Sequence, residues 1–122
     1  MNNKPAQKDT LRSRLSRSRE ISISVTGRKS GRSISIPIWF VWDEEKLYLL
    51  PAKGSDTQWY KNVIVKPSIR IDAGAEAVEY KVVPVSDAKQ VSCVVEKFRS
   101  KYGDSGITLY AKLDVAVLAQ VP

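Results

Sequence analysis

The sequence predicts a mainly β fold with minor α, in which six antiparallel strands and two helices form a small barrel or a strongly curled sheet. Apolar residues alternate strictly along several short segments, glycine, proline and acidic clusters cut those segments at hairpin intervals, and helical periodicity is confined to two stretches. A flat antiparallel sheet of six strands would expose two long edges, which closure removes. With 122 residues, 43% of them hydrophobic, the chain has the size and apolar content of one domain.

The first strand starts at Ile21, where Ile21, Ile23 and Val25 alternate with Ser22, Ser24 and Thr26. Gly27 to Arg32 is a turn bounded by glycines, and Ser33 to Trp42 alternates again through Ile34, Ile36, Ile38 and Phe40, so the two segments predict a hairpin. Pro37 cannot donate to a ladder, which predicts a bend, a bulge or an edge position there. After the polar turn Asp43-Glu44-Glu45, Lys46 to Pro51 predicts a third strand and a three-stranded meander. Ser55 with Gln58 three residues on matches a capping box, and a short helix carrying Trp59 and Val63 must stop near Lys66, before Pro67. Ile69–Ala73 and Glu76–Val85 predict a second hairpin around Gly74. Ser86 and Asp87 then cap an amphipathic helix whose apolar face is Val91, Val94, Val95, Phe98 and Tyr102, ending at Gly103. A loop through Ser105 and Gly106 leads to a final strand, roughly Leu113 to Leu118.

Charge and composition narrow the chemistry. The net charge is +7, and residues 1–20 hold six cations against two carboxylates, more than half of that excess. Residues 1–19 therefore read as a basic arm or short helix ahead of a domain spanning 20–122. Its Arg-Ser alternation suits a flexible tail for nucleic acid or an anionic membrane, whereas Leu11 and Leu15, four residues apart, favour a short helix docked on the body. With no histidine, a Ser-His-Asp or Cys-His nucleophile, a His-bearing zinc site and a histidine proton switch are all excluded, and no metal is expected. A single cysteine, Cys93, cannot close an intrachain disulfide and reads as a packing residue, and a cytoplasmic location is the default. No run approaches the ~18 apolar residues of a membrane span.

Arg28, Lys29 and Arg32 lie within one glycine-bounded turn, a spacing that offers guanidinium forks and backbone N–H groups to a phosphate or carboxylate, and equally fits a solvated hairpin tip. Lys53-Gly54, just before a helix start, is a second place where an anion could meet N–H groups and an ammonium. Trp39, Trp42, Trp59 and Tyr60 read first as core, and otherwise as a flat wall for a planar ligand. The carboxylates form no convincing pair, and Tyr60, Tyr102 and Tyr110 stand as proton-donor candidates with no spacing to choose among them.

The runs Val25-Thr26-Gly27-Arg28-Lys29-Ser30-Gly31-Arg32, Ile36-Pro37-Ile38-Trp39, Leu47 to Gly54 and Trp59-Tyr60-Lys61-Asn62-Val63, in this order and spacing, resemble the deazaflavin-dependent nitroreductase family. A related branch of uncharacterised small proteins is resembled as well. Both belong to the split β-barrel superfamily of the pyridoxamine-phosphate-oxidase type. The resemblance implies a six-stranded antiparallel split β-barrel, a homodimer, and binding of a deazaflavin coenzyme or flavin mononucleotide (FMN). It implies that Arg28, Lys29 and Arg32 hold the phosphate end of the coenzyme and that Pro37, Ile38 and Trp39 line its ring. Ala52, Lys53 and Gly54 would face the redox edge, with Trp59 and Asn62 beside it. Ala52 departs from the family, which often has serine there, and the loop from Gly54 to Trp59 is short. The implied function is a reductase passing hydride from the cofactor to a small acceptor. The alternative is a non-catalytic cofactor or small-anion binding protein of the same fold.

Overall fold

The computed structural model describes residues 15–73 and 76–120, with the backbone alone over 72, 73 and 76–78. The described strands are β1 (Ile21–Thr26), β2 (Ser33–Ile38), β3 (Val41–Asp43), β4 (Lys46–Leu49), β5 (Ser68–Ala73), β6 (Glu76–Val85) and β7 (Ala116–Gln120). The helices are a single 3-10 turn (Gly54–Asp56), α1 (Gln58–Val65) and α2 (Ala88–Ile107), and residues 15–17 are helical as well.

Seven strands replace the expected six because the stretch Ser33–Trp42 divides at Trp39 and Phe40. All neighbours in the sheet are antiparallel, in the order β2-β1-β5-β6-β7-β4-β3. β2 and β3 therefore form opposite edges of the sheet, yet only two residues separate them along the chain. The sheet must curl until its edges meet at this seam, although no ladder closes it into a barrel. The expected meander is cut in two: β2 pairs β1, whereas β4 pairs β3 and β7. β6 makes the corresponding crossing elsewhere, pairing β5 up to Lys81 and β7 from Val82 onward. Pro37 lies on the edge strand β2, opposite Ser22, where its missing N–H costs no bond to a further strand.

Alternation along the strands sends one set of side chains inside the curl and the other outward. Ile23, Phe40, Leu47, Leu49, Val63 and Ile71 meet in the inner cluster, and Leu15, ahead of β1, joins them at 2% exposure. Leu11 and the rest of residues 1–14 lie outside the described residues, as does the turn at Gly74. The outer cluster forms where α2 lays Val91, Val94, Val95, Phe98 and Tyr102 over Val41, Leu50 and Ala116. This is the helix face that the 3.6-residue period picks out.

Asp87 caps α2 through its carboxylate, which accepts from the Gln90 amide at 3.0 Å. Gly103 interrupts the helix with φ 82° and ψ 169°, backbone that only glycine adopts without strain, and the following turn resumes as helix where a loop was expected. Cys93, expected to pack, is exposed. α1 stops at Val65, with Lys66 as its last cap before Pro67. The capping box is not formed: Thr57 is the N-cap, and the Ser55 hydroxyl donates to Asp114 Oδ2 at 2.6 Å. That contact explains why the last strand starts at Ala116, three residues later than expected, since Lys112 to Asp114 are fastened to the 3-10 turn before the chain straightens.

The seam removes the Phe40 backbone groups from any ladder, and α2 supplies their partners. The Phe40 amide donates to the Tyr102 hydroxyl at 3.1 Å, and the Phe40 carbonyl lies 2.8 Å from that hydroxyl and 2.9 Å from Lys101 Nζ. The Arg19 carbonyl, 2.7 Å away, shares the same hydroxyl proton. Trp39 stacks on the Tyr102 ring with centroids 4.2 Å apart and planes 5° from parallel.

Candidate functional site

Two clefts share α1 and its cap as a wall. The larger, of about 400 Å³, takes Pro37 and Ile38 from β2, Trp39 from the seam, Ala52 beyond β4 and Trp59 from α1. Leu109 and Tyr110, from the segment after α2, complete its lining. The lining is mostly apolar and partly aromatic, which suits a flat ligand rather than a sugar or a peptide. The seam sets the wall: because Trp39 is pinned by Tyr102 on one side, its ring has a fixed plane at the cleft.

The segment carrying Leu109 and Tyr110 is held by several contacts to residues 52–56. The Ala111 amide donates to the Ala52 carbonyl at 2.7 Å. Ser55 donates to Asp114 through both its amide and its hydroxyl, and Lys112 pairs with Asp56 at 3.3 Å. The Ser55 hydroxyl bond holds the Asp114 carboxyl below its ordinary pKa. Gly54 makes this closeness feasible: it sits at φ 55°, and a Cβ there would meet Asp114 Oδ1 at 2.1 Å.

The second cleft, of about 310 Å³, is bounded by the β1–β2 turn and by Gln58 and Asn62 of α1. The turn is closed by Gly27 N–H to the Arg32 carbonyl at 2.8 Å and Gly31 N–H to the Gly27 carbonyl at 2.9 Å, with Gly31 at φ 71°. Arg28 then folds back onto α1. Its Nη1 donates to Asn62 Oδ1 at 2.8 Å and to the Gln58 carbonyl, its Nη2 to Gln58 Oε1 at 2.8 Å, and its amide also reaches Asn62 Oδ1. Every one of these acceptors is neutral, so the guanidinium is immobilised with its charge uncompensated among the described residues. That is a fixed cation in an open cleft, able to attract a phosphate or carboxylate.

Among the residues expected at a cofactor site, Pro37, Ile38, Trp39, Ala52 and Trp59 line the larger cleft, and Arg28, Lys29 and Asn62 line the second. Asn62 is 6% exposed and serves the Arg28 guanidinium. Arg32 is exposed at the far end of the turn and lines neither cleft. Lys53 and Gly54 line neither, and the expectation of free N–H groups there is not met. The Lys53 amide donates to Thr57 Oγ1, Gly54 to the Pro51 carbonyl, Ser55 to Asp114, Asp56 to Lys53 and Thr57 to Gly54.

The three tyrosines also separate. Tyr60 is buried in the inner cluster and Tyr102 is engaged at the seam, leaving Tyr110 alone at the cleft. Burial, and then the neighbouring Tyr102, push the Tyr110 phenol well above its ordinary pKa, so it stays protonated. The contacts of Gln58 with Arg28 and of Asp114 with Ser55 escaped the sequence reading because the partners lie 30 and 59 residues apart, beyond any local pattern.

No group of histidine, cysteine or carboxylate side chains able to hold a metal occurs among the described residues, and no described helix is long and apolar enough to cross a membrane.

Residues 12–116 match the model of a family described as an uncharacterized protein conserved in bacteria, DUF2255. No curated protein matches the chain. Among solved structures, the F420-H2 dependent reductase FDR-A is 19% identical, with a TM-score of 0.64 over 83% of this chain and 93% of its own. HutZ, the heme storage protein of Vibrio cholerae, is 14% identical, with a TM-score of 0.69 over 93% and 88%. A structure described as a domain-swapped dimer is 17% identical, with a TM-score of 0.66 over 93% and 99%. At these identities the likeness is one of fold.

Proposed function

Because the chain belongs to the DUF2255 family and shares its fold with a reductase that uses a deazaflavin, we propose that it binds a deazaflavin coenzyme or FMN and passes hydride to a small acceptor. One observation carries this reading: a mostly apolar cleft with a fixed tryptophan wall shares α1 with a second cleft that holds an uncompensated guanidinium. A ligand with a flat ring at one end and a phosphate at the other has the chemistry of both clefts.

In this reading Arg28, with Lys29 beside it, takes the phosphate end of the cofactor. Pro37, Ile38, Trp39 and Trp59 hold the ring and exclude water from it. A reduced deazaflavin or flavin, when bound, supplies the hydride. Tyr110, which lines the cleft beside Trp39, gives a proton to the acceptor. The exposed edge strand β2, with Ile34 40% and, across the cleft, Leu109 69% exposed, is where a second copy of the chain pairs to form a homodimer.

A second reading, binding without turnover, has its own support. Ala52 brings no hydroxyl to the cleft, and the amides from Lys53 to Thr57 are all bonded internally, so that loop has no spare backbone donor to offer a ring edge.

Tryptophan-fluorescence titration with the deazaflavin coenzyme and with FMN tests binding. Saturable quenching by one of them, lost in Arg28→Ala, is expected, and no quenching by either overturns both readings. Turnover of the reduced cofactor with a panel of nitro and quinone acceptors then separates the two. A monomeric mass in solution overturns the homodimer.

A further inference from the structure

The seam brings together two cations that no carboxylate pairs with among the described residues. Lys101 Nζ stands 3.7 Å from the centroid of the Phe40 ring and 5.2 Å from that of Tyr102, and Arg19 Cζ lies 5.0 Å from the same Tyr102 centroid. Along α2 the neighbouring cations are all paired: Lys97 with Asp43, and Arg99 with Glu96 and Asp104. Among the described residues Lys101 and Arg19 belong to no ion pair. Glu20 is close enough to act on the Tyr102 hydroxyl but pairs with neither cation.

The two cations act on each other. Burial first, and then the charge of Arg19, bring Lys101 down to about 8 from an ordinary 10.5. Lys101 donates one of its N–H groups to the Phe40 carbonyl and makes no other hydrogen bond among the described residues. The Arg19 guanidinium is exposed and makes no hydrogen bond among the described residues, so it can be reached from solvent. The pair is separate from the Arg28 cleft, since Arg19 and Arg28 stand at opposite ends of the six-residue β1, about 20 Å of strand.

We infer that Arg19 and Lys101 form a second anion site at the seam, suited to a phosphate-type dianion bridging the guanidinium and the ammonium. An oxyanion there relieves the repulsion between the cations, supplies acceptors to the unused N–H groups, and stays in contact with solvent on the Arg19 side. The inference does not depend on the cofactor reading, because none of its residues lines either cleft.

The test is the titration of Lys101, followed through its ¹³Cε resonance in the full chain labelled at lysine and assigned with Lys101→Arg. Titrations run at constant ionic strength in chloride, in acetate and in inorganic phosphate. Phosphate is expected to raise the Lys101 pKa saturably, acetate to do so less, and chloride not at all. Arg19→Gln should abolish the phosphate response, and Arg19→Lys should keep it at weaker affinity. Equal shifts in phosphate and chloride would mean screening alone and overturn the site. So would a response to phosphate that persists undiminished in Arg19→Gln.

Discussion

One hydroxyl, that of Tyr102, accepts from the Phe40 amide at 3.1 Å and lies 2.8 Å from the Phe40 carbonyl, so a single side chain of α2 serves both backbone groups of the residue that links the two sheet edges. Tyr102→Phe keeps the ring stack with Trp39 but leaves the Phe40 amide unsatisfied in the interior. The expected loss is about 1–3 kcal/mol of stability in urea unfolding, with little change in the slope. A loss below a few tenths of a kcal/mol would show that water replaces the hydroxyl.

Two glycines should respond differently to alanine. At Gly103 nothing lies within 4 Å of an added Cβ, so the cost is backbone strain alone, about 1–3 kcal/mol. Gly54→Ala adds a clash with Asp114 to a similar strain and should cost more. It should also loosen the wall bearing Tyr110, which faster amide exchange at Ala111 would register.

The arginines of the β1–β2 turn are predicted to be unequal. Arg28→Ala removes the immobilised guanidinium and should weaken binding of a phosphorylated cofactor by about 10–100-fold. Arg32→Ala, outside both clefts, should change it less than threefold. Comparable losses from the two would place the anion further along the turn.

Stability should rise with pH at two residues, each in its own pH window. The folded-state pKa of Lys101, about 8, is below its ordinary 10.5, so the fold disfavours the charged amine. The penalty is full below pH 8, and stability rises as pH climbs from 8 to 10.5. Lys101→Met should lack that rise when the two proteins are compared by urea midpoint. Asp114 is held below its ordinary value by Ser55, so its contribution is present above the ordinary carboxylate range and is lost as pH falls through the lowered folded value. Asp114→Asn should remove that part of the acid sensitivity.

Tyr110→Phe tests the proton donor. Quenching by the cofactor should be retained within about twofold, while kcat with a nitro or quinone acceptor falls by about 10²-fold or more. If kcat is unchanged, the proton comes from elsewhere.

The strand and helix segments, the Asp87 cap and the buried face of α2 were legible because each is written in a local pattern of a few residues. The division of the second strand was not. Ile34, Ile36, Ile38 and Phe40 alternate without interruption, and nothing in that run reveals that its two halves pair with strands at opposite ends of the sheet order. The apolar lining at Pro37, Ile38, Trp39 and Trp59 could be anticipated from motif resemblance. The engagement of Gly54 by Asp114, and of Arg28 by Gln58 and Asn62, depends on the tertiary approach of distant segments. At Lys53-Gly54 the reason is local: a lysine and a glycine before a helix offer N–H groups only if the loop leaves them free, and here both amides are bonded within it.

The sheet order also bears on how the molecule assembles. β1 and β2 can pair as soon as both exist, and so can β3 with β4 and β5 with β6. The contact that unites the two halves is β7, which inserts between β4 and β6 and is made after every other strand. Loops of roughly 70 residues must close before β4 finds it, so the slow step of folding should be this insertion. Until then the nascent chain leaves the edges of β4 and β6 bare, and a chaperone, or a second copy waiting to exchange β7, has that interval in which to act.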